Sequence, residues 1–180
     1  MTEGNLRIED GPLFSTSPKG ANKEQKNKNI MAYTNLLYHI VFRPKNSESV
    51  IPIDKEELLY RYIWGFVKNK KGVLYRIGGM PDHIHILVQL LPTIAISDFV
   101  RDLKIASGLF LENNKLYFPK FKGWARSYCA ITYSKSEKDI VINYIKNQKE
   151  HHRKRTLYDE LLELLREADI DVDMIYFLKD

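Results

Sequence analysis

The feature that most constrains the fold is an alternating run of apolar and polar side chains, Pro81-Asp82-His83-Ile84-His85-Ile86-Leu87-Val88. Successive side chains of a β-strand point to opposite faces of its sheet. Ile84, Ile86 and Val88 therefore share one face, which predicts an aliphatic core, while His83 and His85 share the other face. Two imidazoles on one face can bind a single divalent cation, although two hydrogen-bonded structural histidines would give the same pattern.

A second motif follows further along the chain, Asn143-Tyr144-Ile145-Lys146-Asn147-Gln148. Residues four apart on a helix are neighbours, so Tyr144 and Gln148 are expected on one face. A phenol is mostly protonated at neutral pH, but a nearby cation can activate it as a nucleophile. Tyr144 could equally continue the apolar stripe of its helix. A tyrosine beside an amide oxygen that completes a metal site indicates phosphodiester chemistry.

The candidate ligands also bear on which metal would bind. Imidazole nitrogens with an amide oxygen form a mixed, fairly hard set that suits Mg²⁺ or Mn²⁺. Zinc is more often held by additional histidines or by thiolates, and Cys129 is the single cysteine. His39, on a predicted strand, is either a third ligand or, as for most single strand histidines, a hydrogen-bonded structural residue.

Composition is that of an ordinary globular domain. The chain has 180 residues and a net charge of +5, which permits an anionic partner without requiring one. No apolar stretch is long enough for a transmembrane helix, and no signal peptide is seen, so a cytoplasmic location is expected. Basic residues crowd the region after Tyr144 and form either a phosphate-binding cluster or a solvated helix end. The candidate DNA-binding residues are Lys146, Lys149, Arg153, Lys154 and Arg155.

The order of predicted elements indicates the fold class. Predicted strands cover residues 33–43, 73–77, 81–88 and 124–133, with Gly78 to Asp82 expected as a turn. Predicted helices begin at a capping-box-like Asp54 and Glu57, at Ser97, at Ser136 and at Leu157, and a short extended end is expected at 175–177. This order predicts an α+β, ferredoxin-like (split βαβ) sandwich. Its antiparallel sheet would carry helices on one face, plus a C-terminal tyrosine-bearing helix.

Residues 1–30 differ in composition from the rest, with scattered apolar residues and no sustained period. They are expected to be a disordered leader, an expression remnant or an over-extended reading frame, with residues 31–180 as one domain.

The alternating histidine run, Tyr133-Ser134 and the segment from Tyr144 to His152 together resemble the IS200/IS605-type single-tyrosine transposases of the HUH endonuclease superfamily. The resemblance covers roughly residues 31–180. It implies that His83 and His85 bind the metal with Gln148 as third ligand, and that Tyr144 is the nucleophile. It further implies Mg²⁺ or Mn²⁺, single-stranded DNA hairpins as substrates, a 5′-phosphotyrosine intermediate and a homodimer.

Two kinds of alternative remain at this stage. Plasmid relaxases and rolling-circle initiators usually carry a third histidine in the metal cluster and are larger, whereas position 87 is leucine here. The chain could also be a domesticated repeat-processing nuclease. A non-catalytic ferredoxin-like module could instead bind single strands by stacking. The aromatic candidates for stacking are Tyr38, Phe42, Phe121 and Trp124.

The homodimer is expected to share its active sites. The short polar segment Ser134-Lys135-Ser136 could steer the tyrosine helix away from its own sheet and into the histidine site of a C2 partner.

Overall fold

A computed structural model describes residues 33–153, 155–173 and 178. Every element described below lies within residues 34–180. The leader expected at residues 1–30 and the extended end expected at 175–177 lie outside the described residues. Among the helices that the structure describes, none combines the length and apolarity needed to cross a membrane.

The elements confirm the ferredoxin-like α+β class. The described strands are β1 (Leu37–Phe42), β2 (Val73–Met80), β3 (His83–Gln89) and β4 (Cys129–Tyr133). The α-helices in the same residues are α1 (Glu56–Asn69), α2 (Ile96–Asn113), α3 (Lys138–Lys146), α4 (Gln148–His151) and α5 (Leu157–Glu167). All strand pairs are antiparallel in the order β2-β3-β1-β4, with α1 and α2 in the two crossover connections.

Helices cover both faces of this sheet. On the first face, β1 and β3 contribute aliphatic and aromatic side chains that pack under α1 and α2. On the second face, Leu37 and Leu87 pack against Val141 and Ile145 of α3. A further cluster on that side joins the sheet to α5 through Val41, Ile131, Leu157, Leu161 and Leu164. The helices expected on one face are therefore α1 and α2, while the tyrosine helix and its successors close the other face.

Helix α3 packs on the sheet of its own chain, which corrects the expectation that the polar segment before it steers it away. Ser134 forms a capping box with Glu137 and starts the helical region at that point. Gly78 of β2 makes the close approach possible, because a Cβ at this position would lie 2.9 Å from the carbonyl oxygen of Ile145. The histidine face and the tyrosine helix are thus joined within one chain.

The close contact between Gly78 and Ile145 also accounts for the glycine that wrongly predicts a turn at Gly78 to Asp82. Gly78 and Gly79 remain in the ladder of β2, paired with His85 and Ile84, and the turn shrinks to Pro81 and Asp82. Two predicted helix starts are also wrong, because α1 and α2 follow Lys55 and Ala95 without a side-chain cap. Phe99 and Val100, near the start of α2, are buried in the core. Packing of this first turn, rather than a side-chain cap, therefore anchors the beginning of α2.

The aromatic residues proposed for base stacking serve the core instead. Tyr38 packs against the first-face core while remaining partly exposed. The Nε1 of Trp124 donates a hydrogen bond to Ser107 Oγ at 3.0 Å, deep under α2. Phe42, Phe121 and Trp124 are at most 8% exposed, so they offer little surface for a nucleic-acid base. This removes the main support for a non-catalytic stacking module.

Candidate active site

Both motif histidines are buried on the second face of β3, and each has its Nδ1 engaged. Asp82 Oδ1 accepts from His83 Nδ1 at 2.7 Å. His85 Nδ1 lies 2.9 Å from His39 Nε2. Burial, and next the charge of His85, lower the pKa of His39 to about 3, so His39 is neutral and its Nε2 can accept from His85. Each motif histidine therefore keeps the lone pair of its Nε2 for another partner.

His39 is accordingly a structural partner of His85 rather than an additional ligand pointing into the site. Asp82 plays the equivalent part for His83. Burial of Asp82 opposes its ionisation, but the hydrogen bond to His83 holds its pKa below the usual range. Such carboxylate and imidazole partners fix the ring orientation of metal-binding histidines in proteins.

Gln148 enters the same site from just beyond α3. The helix is interrupted at Asn147 and resumes as α4. Backbone hydrogen bonds from Asn147 to Asn143 and from His151 to Asn147 have the spacing of an α-helix, so α3 and α4 remain nearly continuous. The side chain of Gln148 is buried, and its Nε2 donates to Glu160 at 2.6 Å. That bond occupies the amide nitrogen and leaves the amide oxygen of Gln148 for another partner.

Three buried atoms at this point have no hydrogen-bond partner among the described residues: His83 Nε2, His85 Nε2 and Gln148 Oε1. A buried polar atom without a partner costs about 1–3 kcal/mol, so such groups usually mark an ion, a water or a functional role. Two imidazole lone pairs and an amide oxygen are all electron-pair donors, which no shared proton can satisfy together. The donor set fits a divalent cation.

Tyr144 lies beside these donors. Its ring centroid is 6.2 Å from that of His85 and 6.0 Å from that of His39. Its hydroxyl donates a hydrogen bond to Glu160. Burial, followed by the negative charge of Glu160, raises the pKa of Tyr144 above its ordinary value. The hydroxyl therefore stays protonated at neutral pH until positive charge is brought near it.

Sequence reasoning missed Glu160, the buried carboxylate at which the site converges. Burial opposes its ionisation, but hydrogen bonds with His152 and the Tyr144 hydroxyl hold the pKa of Glu160 well below its usual range. His152 Nε2 lies 2.8 Å from Glu160 Oε2. A signal was present in the sequence: Glu160 occupies an inward position of α5 between Leu157, Leu161 and Leu164, where an apolar residue is expected.

Several of the predicted DNA-binding residues are paired with carboxylates within the chain, and Arg155 also lines the cavity beside Tyr144. Lys149 contacts Glu56 at 2.6 Å, Arg153 contacts Glu150 at 3.2 Å, and Arg155 contacts Glu163. Lys146 is exposed in the last turn of α3, and Lys154 lies outside the described residues. Exposed pairs of this kind contribute about 0–1 kcal/mol, so an incoming phosphate can replace the carboxylates.

A cavity of about 620 Å³ gives access to the tyrosine between α3 and α5. Its lining includes Tyr144, Tyr133, Ile140, His151, Arg155 and Glu163. The nucleophile candidate is therefore reachable from outside, whereas His83 and His85 are fully buried.

Comparison with known proteins places the chain in a family. The family model described as "Transposase IS200 like" matches residues 32–148. The chain belongs to this family. The matched segment contains His83, His85, Tyr144 and Gln148 and ends before His152 and Glu160.

Curated proteins include IS200-like relatives. ISDra2 transposase TnpA of Deinococcus radiodurans is 38% identical over 73 residues, which are 38% of this chain and 52% of that protein. The chain thus spans about half the length of this relative. The transposase for insertion sequence element IS200 of Salmonella typhimurium is 28% identical over 123 residues, covering 66% of this chain and 80% of that protein.

Two solved structures support the IS200-like fold. A crystal structure of a candidate transposase from Deinococcus radiodurans R1 has a TM-score of 0.51 and 29% identity, covering 65% of this chain and 93% of that one. The structure of a REP-associated tyrosine transposase bound to a REP hairpin has a TM-score of 0.52 and 14% identity, covering 67% and 71%. The second likeness concerns the fold alone.

The His39–His85 contact generates a test of the metal site. Replacing His39 with alanine should weaken Mn²⁺ affinity by roughly 10–100-fold, because His85 loses the partner that orients its ring. His39→Gln places an amide near the position of the lost Nε2 and should recover part of that affinity. Titration of DNA-free protein, followed by electron paramagnetic resonance of free Mn²⁺, measures both. Unchanged affinity in His39→Ala would show that this contact does not support metal binding.

Proposed function

We propose that the chain is a metal-dependent single-stranded DNA transposase that cuts and rejoins strands at hairpin-flanked ends. Tyr144 is the nucleophile, and His83, His85 and Gln148 hold Mg²⁺ or Mn²⁺. The observation that carries this proposal is that His83, His85, Gln148 and Tyr144 all meet at Glu160. The Nε2 atoms of both histidines and the Oε1 of Gln148 are left without a hydrogen-bond partner among the described residues. Family membership and the IS200-like relatives support it from the sequence side.

The tyrosine oxygen attacks the phosphorus of a DNA phosphodiester. The new bond joins the Tyr144 oxygen to the 5′ phosphate of the downstream fragment, and the bond from phosphorus to the 3′ oxygen of the upstream fragment breaks. That 3′ oxygen leaves as a hydroxyl, taking up a proton in place of the one lost from the phenol. Because a phenolate is a fair leaving group, an incoming 3′ hydroxyl can reverse the step on another strand. Cutting and rejoining then need no nucleoside triphosphate.

The protein's own residues prepare this step in three ways. His39 and Asp82 hold the two motif imidazoles in the tautomer that leaves Nε2 available. Glu160 accepts from the amide nitrogen of Gln148, which leaves the amide oxygen available as a third ligand. A divalent cation held there would supply Lewis-acid stabilisation of the charge that develops on the scissile phosphate.

Replacing Tyr144 with phenylalanine tests the nucleophile. The ring and its packing remain, and the loss of one hydrogen bond should cost about 1 kcal/mol of folding free energy. Covalent capture of a labelled hairpin strand in Mn²⁺ should fall below detection, because no other group carries the attacking oxygen.

Peptide mass mapping of the wild-type adduct gives a second reading of the same assignment. DNA attached to Tyr133, which lines the same cavity, or to Tyr158 would contradict it. The double variant His83→Ala, His85→Ala serves as a companion, since it should lose cleavage while retaining hairpin binding.

The basic cluster is proposed to contact DNA phosphates through Lys146, Lys149, Arg153, Lys154 and Arg155. The cavity beside Tyr144 contains Glu150 and Glu163, so approach of an anionic strand needs compensating positive charge. Residues at its rim can supply this charge once their exposed carboxylate partners are released.

Salt dependence tests the cluster. The double variant Lys149→Gln, Arg153→Gln should weaken hairpin binding and reduce the slope of log affinity against log salt by roughly 1.4, the value for two phosphate contacts on a single strand. Lys115→Gln, in the turn after α2 on the opposite side of the sheet, is the matched control and should leave the slope unchanged. A wild-type slope in the double variant would identify the cluster as a solvated helix end.

We also propose that the protein acts as a C2 homodimer. The single chain already brings Tyr144 to the histidine face, so the expected sharing of sites between subunits is not needed to complete one. The docking of α3 through Gly78 supports a site built within each subunit.

Complementation separates the two arrangements. A His83→Ala, His85→Ala subunit is mixed with a Tyr144→Phe subunit, and heterodimers are isolated by two different affinity tags. Because each site is built within one chain, these heterodimers should stay inactive. Recovery of nicking to a fraction of wild type would show shared sites, and light scattering of active protein as a monomer would remove the dimer proposal.

A further inference from the structure

Glu160 is the most highly connected side chain of the site, and it lies beyond the segment matched by the family model. Glu160 is 3% exposed and lies on the inward-facing side of α5. A buried carboxylate is costly unless its oxygens are fully engaged. The partners of the two oxygens differ in kind, and that difference indicates what the residue does.

One oxygen faces the nucleophile. Glu160 Oε1 accepts from the Tyr144 hydroxyl and from Gln148 Nε2. Tyr144 belongs to α3 and Gln148 to α4, on either side of the break at Asn147. A single acceptor therefore fixes the tyrosine oxygen relative to the amide group of Gln148, the proposed third metal ligand.

The other oxygen faces the histidines. Glu160 Oε2 lies 3.5 Å from His85 Nε2 and 3.7 Å from His83 Nε2, neither of which makes a hydrogen bond. Ligand atoms that are each about 2.1 Å from one cation lie roughly 3–4 Å apart. Ligand atoms of His83, His85, His152 and Glu160 all lie within 4.8 Å of one another. Oε2 is thus spaced as a ligand of the same ion.

We propose that Glu160 couples the nucleophile to the metal site, with Oε1 positioning the Tyr144 hydroxyl and Oε2 lying beside the histidine nitrogens as a further ligand. This inference rests on the proposed function and deepens it. His152 holds Oε2 in place from the outer side through the 2.8 Å contact. Metal affinity and placement of the tyrosine then depend on one carboxylate.

Two other roles for Glu160 make different predictions. A purely structural carboxylate would tie α5 to α4 through His152 and would affect stability alone. A blocking carboxylate would occupy the place of the incoming phosphate, and its removal would speed DNA capture. Coupling predicts slower capture, weaker metal binding and a thermodynamic link between Tyr144 and the cation.

The experiment uses full-length protein and Mn²⁺ as the probe. Glu160→Gln keeps the size of the side chain and removes its charge, and Glu112→Gln, an exposed carboxylate of α2, is the matched control. Mn²⁺ affinity is measured without DNA, and capture of a labelled hairpin strand is measured at saturating Mn²⁺. Circular dichroism melting confirms the fold, and Glu160→Asp replaces Glu160→Gln if the latter does not fold, because it keeps the charge but shortens the reach.

Coupling predicts Mn²⁺ affinity at least tenfold weaker in Glu160→Gln and a capture rate at least about 100-fold lower, with the KM for DNA nearly unchanged. Tyr144→Phe removes one of the two donors to Oε1, so it should shift Mn²⁺ affinity at least about twofold in the wild-type background and not in Glu160→Gln. Wild-type affinity and capture in folded Glu160→Gln, or faster capture, would overturn the inference. Wild-type protein that neither binds Mn²⁺ nor captures DNA would instead reject the proposed function.

Discussion

The structure depends on the burial of both faces of β3. One face is aliphatic and needs only apolar cover, which α1 and α2 provide. The other face carries His83 and His85, which are fully buried, so its cover must also satisfy polar atoms. Helices α3 to α5 do this by combining apolar contacts from Val141, Ile145 and the α5 leucines with a polar centre. The site is thus enclosed by the packing that completes the fold.

Local pattern was sufficient to predict the sheet and the motif residues, because strand alternation and helical spacing are properties of neighbouring residues. The two faces of β3 and the limits of α5 agree with the sequence. The turn at Gly78 was predicted wrongly for an instructive reason. A glycine pair signals a turn locally, but Gly78 is required by the backbone of Ile145, which lies far along the chain.

The same distinction applies to the site. His83, His85, Tyr144 and Gln148 could be found from two short motifs, since each pair is close in sequence. His39, Asp82 and Glu160 acquire their roles only through contacts made by folding. Glu160 shows how far sequence can reach: a charge on an apolar stripe signals a buried function, yet its partners on α3, α4 and β3 follow from how α5 packs. Lys149 and Arg153 show the opposite case. Their sequence suggests a free basic cluster, but in the fold Lys149 pairs with Glu56 and Arg153 pairs with Glu150.

An anionic residue at the centre of the proposed phosphodiester site imposes a strong electrostatic condition. Two unit negative charges about 4 Å apart repel by about 4 kcal/mol at an effective dielectric constant of 20. Ionised Glu160 would therefore oppose a scissile phosphate near Tyr144. Burial disfavours a charge on His152, but Glu160 raises the pKa of His152. Positive charge on His152 then offsets part of this repulsion. A divalent cation held by the site would supply positive charge to both anions and offset this repulsion. In the proposed function, Glu160 would then disfavour a strand at the metal-free site and tolerate one when the metal is bound.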